Sequence, residues 1–422
     1  MYLIYFLLIT IICYYILFSS QVENDGNIGL KFNAPLVFIV IFYLHSIALP
    51  ISRVFFNSYP ELADFDFMYV NVLCWIGILL SSILFSNEYL KTTGKVYIIH
   101  LNTFSVFKVK LFLVITAFWN FYSIFKNLDF NPANLLQQYG FEMQFSTGEV
   151  SIFDSVRELL FFSAVGLSYI IGNEEDNKPL KKMATILCFS YFVLILLRGS
   201  RNAATMMLFP VIVYYFKTKL VSIRNVVIVT FVLFLGGYLI GVIRNYGFSE
   251  VTGIQYSNNM FDPLAQEFGT SFSVFSKWLS MQSKIQYQFG RTYIIDPLTN
   301  FIPTAVWPNR PPSSAINFSM LYFDVVNKIN LVEGLGYSPI VEALSNFGYF
   351  GLIPVFFIFW IIIRKISNYF DKKATVLSNV LYGFFCVFSL NFTRIDFSTS
   401  FKMFFLFLLC AGLMNYIIKK YE

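Results

Sequence analysis

Charge is scarce in this sequence. Asp, Glu, Lys and Arg make up only 13% of its 422 residues, against roughly a quarter in soluble domains. That shortage excludes a soluble enzyme and a disordered chain. Histidine is nearly missing: His45 and His100 are too far apart for a His-based metal site. The five cysteines (Cys13, Cys74, Cys188, Cys386 and Cys410) lie singly inside apolar runs. Without a CxxC pair, neither a zinc site nor a disulfide scaffold is indicated. There is no GxxxxGK[ST] loop, so no nucleotide-driven pump is implied. HExxH and GxSxG are absent, and the longest polar segment has no DxD. A metal-dependent synthase fed by nucleotide sugars therefore finds no support, and no cofactor or metal is expected.

What the chain has in quantity is apolar surface. Hydrophobic residues reach 57% and aromatics 20%, with 52 Phe and 22 Gly. Mean hydropathy is +0.64. These values describe an integral membrane protein. A span needs about 20 mostly apolar residues. Eleven runs qualify: 1–19, 34–52, 67–86, 111–128, 152–172, 183–197, 202–217, 225–243, 349–365, 376–392 and 400–418. Helices are expected, because lipid cannot satisfy free backbone N–H and C=O groups. The predicted fold is all-α: a polytopic membrane bundle of about 11 transmembrane helices with a large helical outer-face loop. It divides into helices 1–8 over 1–243, the loop over 244–348, and helices 9–11 over 349–422. The first run has no basic n-region and reads as a span rather than a cleaved signal.

Lys and Arg exceed Asp and Glu by 30 to 24, giving +6. This excess is scattered between apolar runs. Nucleic-acid binders gather it into patches, so orientation in the membrane is the better reading and no nucleic acid is expected. Basic residues in short loops mark the cytoplasmic side. They occur at Lys91, Lys95, Lys108 and Lys110; at Lys217, Lys219 and Arg224; at Arg364, Lys365, Lys372 and Lys373; and at Lys419 and Lys420. Counting spans puts all four groups on one side. The opposite face then receives 53–66, 129–150, the turn 198–201, segment 244–348 and 393–398. Segment 244–348 contains seven prolines, yet also two Trp, many Phe and Tyr, and a helical pattern over 262–280. Loops of this length usually carry function, and short helices capping a cavity are expected.

Arginine at a membrane rim costs free energy and by default suggests function. The outer face is predicted to hold Arg198 and Arg201, in Leu197-Arg198-Gly199-Ser200-Arg201-Asn202, with Arg244, Arg291, Arg310 and Arg394. A single arginine would be read as snorkelling or as a structural ion pair. A pair in one tight turn, with Arg244 at the same depth, favours a bound polyanion, since the guanidinium fork matches phosphate oxygens. The carboxylates of that face are Asp262, Glu267, Asp296, Asp324, Glu333, Glu342 and Asp396. Glu342 stands out because the stretch from Gly336 to Gly348 is otherwise uncharged. A lone carboxylate there needs a partner. It could pair with an arginine or take a proton from a hydroxyl. Glu267 is the second candidate. Trp278, Tyr293 and Trp307 are candidates to stack on sugars or to pack the core.

These motifs, in this order, resemble the O-antigen and capsule repeat-unit polymerases of the Wzy type, relatives of the O-antigen ligases. The resemblance rests on the Arg198-Gly199-Ser200-Arg201 turn, Gly290-Arg291-Thr292-Tyr293, Phe301-Ile302-Pro303, Trp307-Pro308-Asn309-Arg310-Pro311, and Gly336-Tyr337-Ser338-Pro339-Ile340-Val341-Glu342 leading to Asn346-Phe347-Gly348-Tyr349-Phe350-Gly351. It covers 190–365 in motif and the whole chain in architecture.

The resemblance implies a bacterial cytoplasmic-membrane enzyme with its site on the periplasmic or outer side. A glycan on undecaprenyl diphosphate would pass to a second lipid-linked repeat unit. Arg198, Arg201 and Arg244 would hold the donor diphosphate. Arg291 and Arg310 would hold acceptor diphosphate or shape the loop, Arg394 would contribute to substrate binding, and Glu342 or Glu267 would be the base. Implied partners are the undecaprenyl-diphosphate-linked oligosaccharide, membrane lipids and a candidate chain-length regulator. The alternatives are an O-antigen ligase and a lipid-linked oligosaccharide transporter. The loop lacks histidine, which weakens the ligase reading, and no repeated halves favour a transporter.

Overall fold

The computed structural model describes residues 1–24, 27–55, 62–85, 104–127, 130–131, 152–173, 175–197, 201–216, 220–232, 268–302, 306–307, 309, 311–325, 337–373 and 375–419. Helices dominate these residues. In chain order the helices begin with α1 (Tyr2–Ser19), α2 (Ala34–Phe55), α3 (Leu62–Leu84), α4 (Val106–Asn127), α5 (Ile152–Ile171), α6 (Lys178–Leu197), α7 (Arg201–Phe216) and α8 (Ile223–Val232). After the loop come α13 (Leu352–Lys372), α14 (Val376–Asn391) and α15 (Phe397–Ile418). Between them, α9 (Thr270–Ser280), α10 (Arg291–Thr299), α11 (Ser314–Val325) and α12 (Pro339–Phe347) are the described helices of the segment 244–348.

Among the described residues, five helical stretches are long and apolar enough to cross a membrane: Tyr2–Ser19, Ala63–Leu84, Val106–Lys126, Tyr349–Phe370 and Phe397–Ile418. Others are shorter but apolar, among them Ala203–Phe216 and Val376–Asn391. The chain is a multi-pass helical membrane protein. The eighth expected run, 225–243, is described only through Val232.

Packing follows small residues and aromatic rings. Helix α3 runs along α13, and α14 along α7. A methyl group on Gly77 would strike the Ile353 carbonyl, so this glycine lets α3 and α13 touch backbone to backbone. Gly383 of α14 meets the Pro210 backbone of α7 in the same way. Close helix approach at small residues is how membrane bundles gain packing contacts where lipid supplies no hydrophobic drive. Buried polar groups join helices across the interior. The Trp75 indole donates to the Ser46 hydroxyl at 3.0 Å, and the Trp360 indole to Ser82 at 2.8 Å.

The two ends of the bundle differ. At one end β1 (Val22–Asn24), β2 (Asn27–Lys31) and β3 (Leu220–Val221) form a small antiparallel sheet, which the all-α expectation did not contain. It ties the loop after α1 to the loop after α7. At the same end the Ser105 amide donates to the Ile418 carbonyl at 2.9 Å, and Arg364 Nη2 to the Phe85 carbonyl at 2.9 Å. Segments expected on one side of the membrane thus meet one another. At the opposite end the Tyr2 hydroxyl donates to Asp64 Oδ2 at 2.7 Å, aligning the starts of α1 and α3. Helices α9, α10 and α12 pack at that second end, which carries the candidate site.

Candidate functional site

Helix α12 is the centre of this end. The Ser338 hydroxyl caps it by accepting from the Val341 amide at 3.4 Å, and Pro339 follows where no amide is needed. Gly348, at φ +65°, ends it in a conformation that side chains disfavour. Residues Pro339 to Asn346 are all buried, although the helix belongs to the loop segment. It touches α3, α9, α10 and α13.

Polar groups fasten α12 to its neighbours. The Trp278 indole donates to the Ser345 hydroxyl at 3.0 Å. The Gln288 and Phe289 amides donate to the Ser345 and Asn346 carbonyls. Asn346 is fully buried and uses both ends of its amide. Its Oδ1 accepts from the Gly290 amide at 2.8 Å, and its Nδ2 donates to Thr292 Oγ1 at 2.8 Å and to the Glu342 carbonyl at 2.7 Å. Gly290, at φ +86°, starts α10 against this latch.

Glu342 itself is 0% exposed. Its Oε2 accepts from the Phe397 amide at 3.0 Å, so the carboxyl lies at the N-terminus of α15. Helix N-termini favour negative charge. Asp396 occupies the same terminus and caps α15 by accepting from the Thr399 amide at 2.8 Å. Two carboxyls thus compete for one helix end. Burial first, and the Asp396 charge second, push Glu342 well above the ordinary carboxylate range. The Phe397 amide and the nearby Thr292 hydroxyl oppose this shift, and Asp296 adds to it. Asp396 is itself raised by burial. Positive charge brought close to this carboxyl would favour its ionised form.

Buried polar atoms that lack a hydrogen-bond partner of ordinary geometry among the described residues gather at this junction. They include Glu342 Oε1, the Tyr293 hydroxyl, Gln288 Oε1, Asn391 Oδ1 and Ser400 Oγ. Such groups are uncommon in folded interiors and call for an explanation. Burial raises the Tyr293 phenol, with Glu342 the next cause. The Tyr293 ring stacks on Phe347 and meets Phe359 and Phe397 edge-on.

The sequence-predicted residues fall into two groups. Glu342, Tyr293, Arg291 and Arg394 come together around α10, α12 and the start of α15. Arg291 Nε donates to Asp296 Oδ1 at 3.3 Å. Arg394 lies in the turn between α14 and α15, where its amide donates to the Asn391 carbonyl. Trp307 is 40% exposed, whereas Trp278 is buried in the contact with Ser345. Arg198, Arg244, Glu267 and Arg310 lie outside the described residues, and Arg201 is described only as the first residue of α7.

The sequence reading missed Arg157. Its guanidinium donates to Asp154 Oδ1 at 2.8 Å, to Ser123 Oγ at 2.5 Å and to Asn120 Oδ1 at 3.4 Å, locking α4 to α5. The charged trio Asp154, Arg157 and Glu158 at the start of an apolar run was the available signal. It also undervalued Asp396, Asn346 and Thr292, whose partners come from distant segments.

Among the described residues, no cluster of three or more His, Cys, Asp or Glu side chains could hold a metal ion. A family model described as O-antigen polysaccharide polymerase Wzy matches residues 1–421. No curated protein matches the chain. No solved structure matches it either. The match runs through the whole bundle and the buried acidic junction alike, and the chain belongs to the O-antigen polysaccharide polymerase family, Wzy.

Proposed function

We propose that the protein lengthens a surface polysaccharide by joining lipid-linked repeat units at the outer face of the cytoplasmic membrane. The donor is a glycan on undecaprenyl diphosphate, and the acceptor is the terminal sugar of a second lipid-linked unit. The observation that carries this reading is the buried, raised carboxyl of Glu342 at the loop end of a chain that belongs to this family.

The chemistry balances without a further reactant. The acceptor hydroxyl oxygen bonds to C1 of the donor sugar as the C1–O bond to the diphosphate breaks. Its proton passes to Glu342, or to Glu267 if that carboxylate is the base. The bonding electrons leave with undecaprenyl diphosphate. Negative charge grows on the departing oxygens, and Arg198, Arg201 and Arg244 are assigned to them. Fixed cations at that place stabilise the transition state more than the ground state. Arg291, Arg310 and Arg394 hold the acceptor side, with Tyr293 and Trp307 beside the sugars. Glu342 takes the acceptor proton as a carboxylate. In this mechanism, arginine side chains near the bound substrate favour its ionised form and ready it as a base.

The supporting pattern for orientation is the meeting of the basic loops at one end and the packing of α9, α10 and α12 at the other. Segment 244–348 is the proposed catalytic loop between the helix sets 1–243 and 349–422.

A surface ladder in the source organism tests the reading. Loss of the protein is expected to leave single repeat units attached to the surface lipid. Loss of units of every length would indicate export or ligation instead. Arg198→Ala and Arg201→Ala are each expected to cost about 10²–10³ in polymerisation rate, with protein retained in the membrane. Long-chain polymer at the normal level from both variants would remove the arginine assignment.

A further inference from the structure

Asp296 ties α10 to the start of α11. It is 2% exposed. Its Oδ2 accepts from both the amide of Ser314, at 2.8 Å, and the Ser314 hydroxyl, at 2.5 Å. Its Oδ1 accepts from Arg291 Nε at 3.3 Å. Helix α10 carries both Asp296 and Arg291, and Ser314 begins α11.

The form of the Arg291 contact matters. A full ion pair of arginine and carboxylate uses two parallel N–H donors on two oxygens. Here one carboxylate oxygen is committed to Ser314, so the arginine meets only the other. The contact uses Nε, the nitrogen closest to the stem. Nη1 and Nη2 have no partner among the described residues, and the side chain is 35% exposed. The guanidinium is therefore fixed by one edge and leaves the other open. That open edge presents the parallel donors that suit phosphate oxygens.

We infer that Asp296 is a positioning residue: wedged between Ser314 and Arg291, it fixes the Arg291 guanidinium so that its Nη edge receives a diphosphate of the lipid-linked glycan. The inference rests on the polymerase reading above. Asp296 touches no substrate and acts through Arg291.

Binding of undecaprenyl diphosphate to the full chain in lipid nanodiscs tests it. Arg291→Gln is expected to weaken binding about 10–100-fold, the range for losing a hydrogen bond to a charged group. Asp296→Asn is expected to weaken it about 10-fold, because the amide no longer holds the fork by charge. The double variant should bind no more weakly than Arg291→Gln, as two residues acting through one contact are not additive. Asp296→Glu should recover part of the loss. Ser314→Ala should stay within about twofold of wild type, since the Ser314 backbone amide still donates to Asp296 Oδ2.

Three results would overturn the inference: wild-type affinity in Asp296→Asn, multiplied losses in the double variant, or an equal loss in Ser314→Ala. Should Asp296→Asn fail to fold, Arg291→Lys replaces it. Lysine keeps the charge but has no fork to be held by one edge, so binding as weak as in Arg291→Gln is expected, and wild-type affinity overturns the inference. A wild-type chain that does not bind undecaprenyl diphosphate removes the polymerase reading and this inference with it. Binding by wild type with an unaffected Asp296→Asn removes only the inference.

Discussion

Replacing Glu342 by Gln separates chemistry from folding. The side chain is fully buried, and its Oε2 accepts from the Phe397 amide at 3.0 Å. Glutamine has nearly the same volume and keeps one acceptor oxygen for that amide. The stability cost should therefore stay below about 1 kcal/mol, near that of one neutral hydrogen bond. Glu342→Ala is different. It leaves the Phe397 amide unpaired, at about 1–3 kcal/mol, and opens a cavity that adds to the loss. If Glu342 takes the acceptor proton, Glu342→Gln should lose about 10²–10⁴ in rate while melting close to wild type.

The pH dependence has a defined sign. The folded-state pKa lies above the unfolded value, so the contribution of this carboxyl to stability is full below the unfolded value. It is lost as pH rises through the raised folded value. Wild type should thus lose stability as pH rises from the unfolded value through the raised folded value, and Glu342→Gln should lack this limb. Activity runs the other way, because a base must be ionised. The acidic limb of the wild-type profile should lie above the ordinary carboxylate range. The assay is polymer formation by purified protein across pH, alongside thermal melting in detergent. Wild-type polymer from Glu342→Gln would refute the assignment of the base to Glu342.

Other outcomes follow from the packing and the chemistry. Asn346→Ala should destabilise the loop end by about 1–3 kcal/mol, because the Gly290 amide loses its acceptor; melting of the purified variant checks this. Gly77→Val should force α3 from α13, since even a methyl group meets the Ile353 carbonyl. A loss of at least about 1–3 kcal/mol is expected, as for other overpacked sites, read as reduced folded yield after extraction. If arginines carry the charge, polymer formation should persist in excess EDTA; abolition by EDTA and rescue by a divalent cation would contradict that.

The bundle was legible because lipid imposes a length and a composition on each span, and α1, α3, α4 and α15 follow apolar runs that stand clear in the sequence. The small sheet was not. Its strands are short, and β2 pairs with β3 some 190 residues away. Glu342 could be found as the one charge in an uncharged stretch. Its partner could not, because the Phe397 backbone amide leaves no mark in the sequence. Nothing in the sequence set Asp296 and Asp396 apart from the other outer-face carboxylates, because the Ser314 and Thr399 groups that donate to them meet them only in the folded chain. Arg157 was absorbed into an apolar run although Asp154 and Glu158 flank it.

Reconstitution of the purified chain with lipid-linked repeat units in liposomes tests the central claim most directly. A ladder of lipid-linked glycans, each longer by one repeat, is predicted, with one undecaprenyl diphosphate released for every bond formed and no added nucleotide sugar. Only single units after incubation with folded protein, and no released diphosphate lipid, would contradict the account.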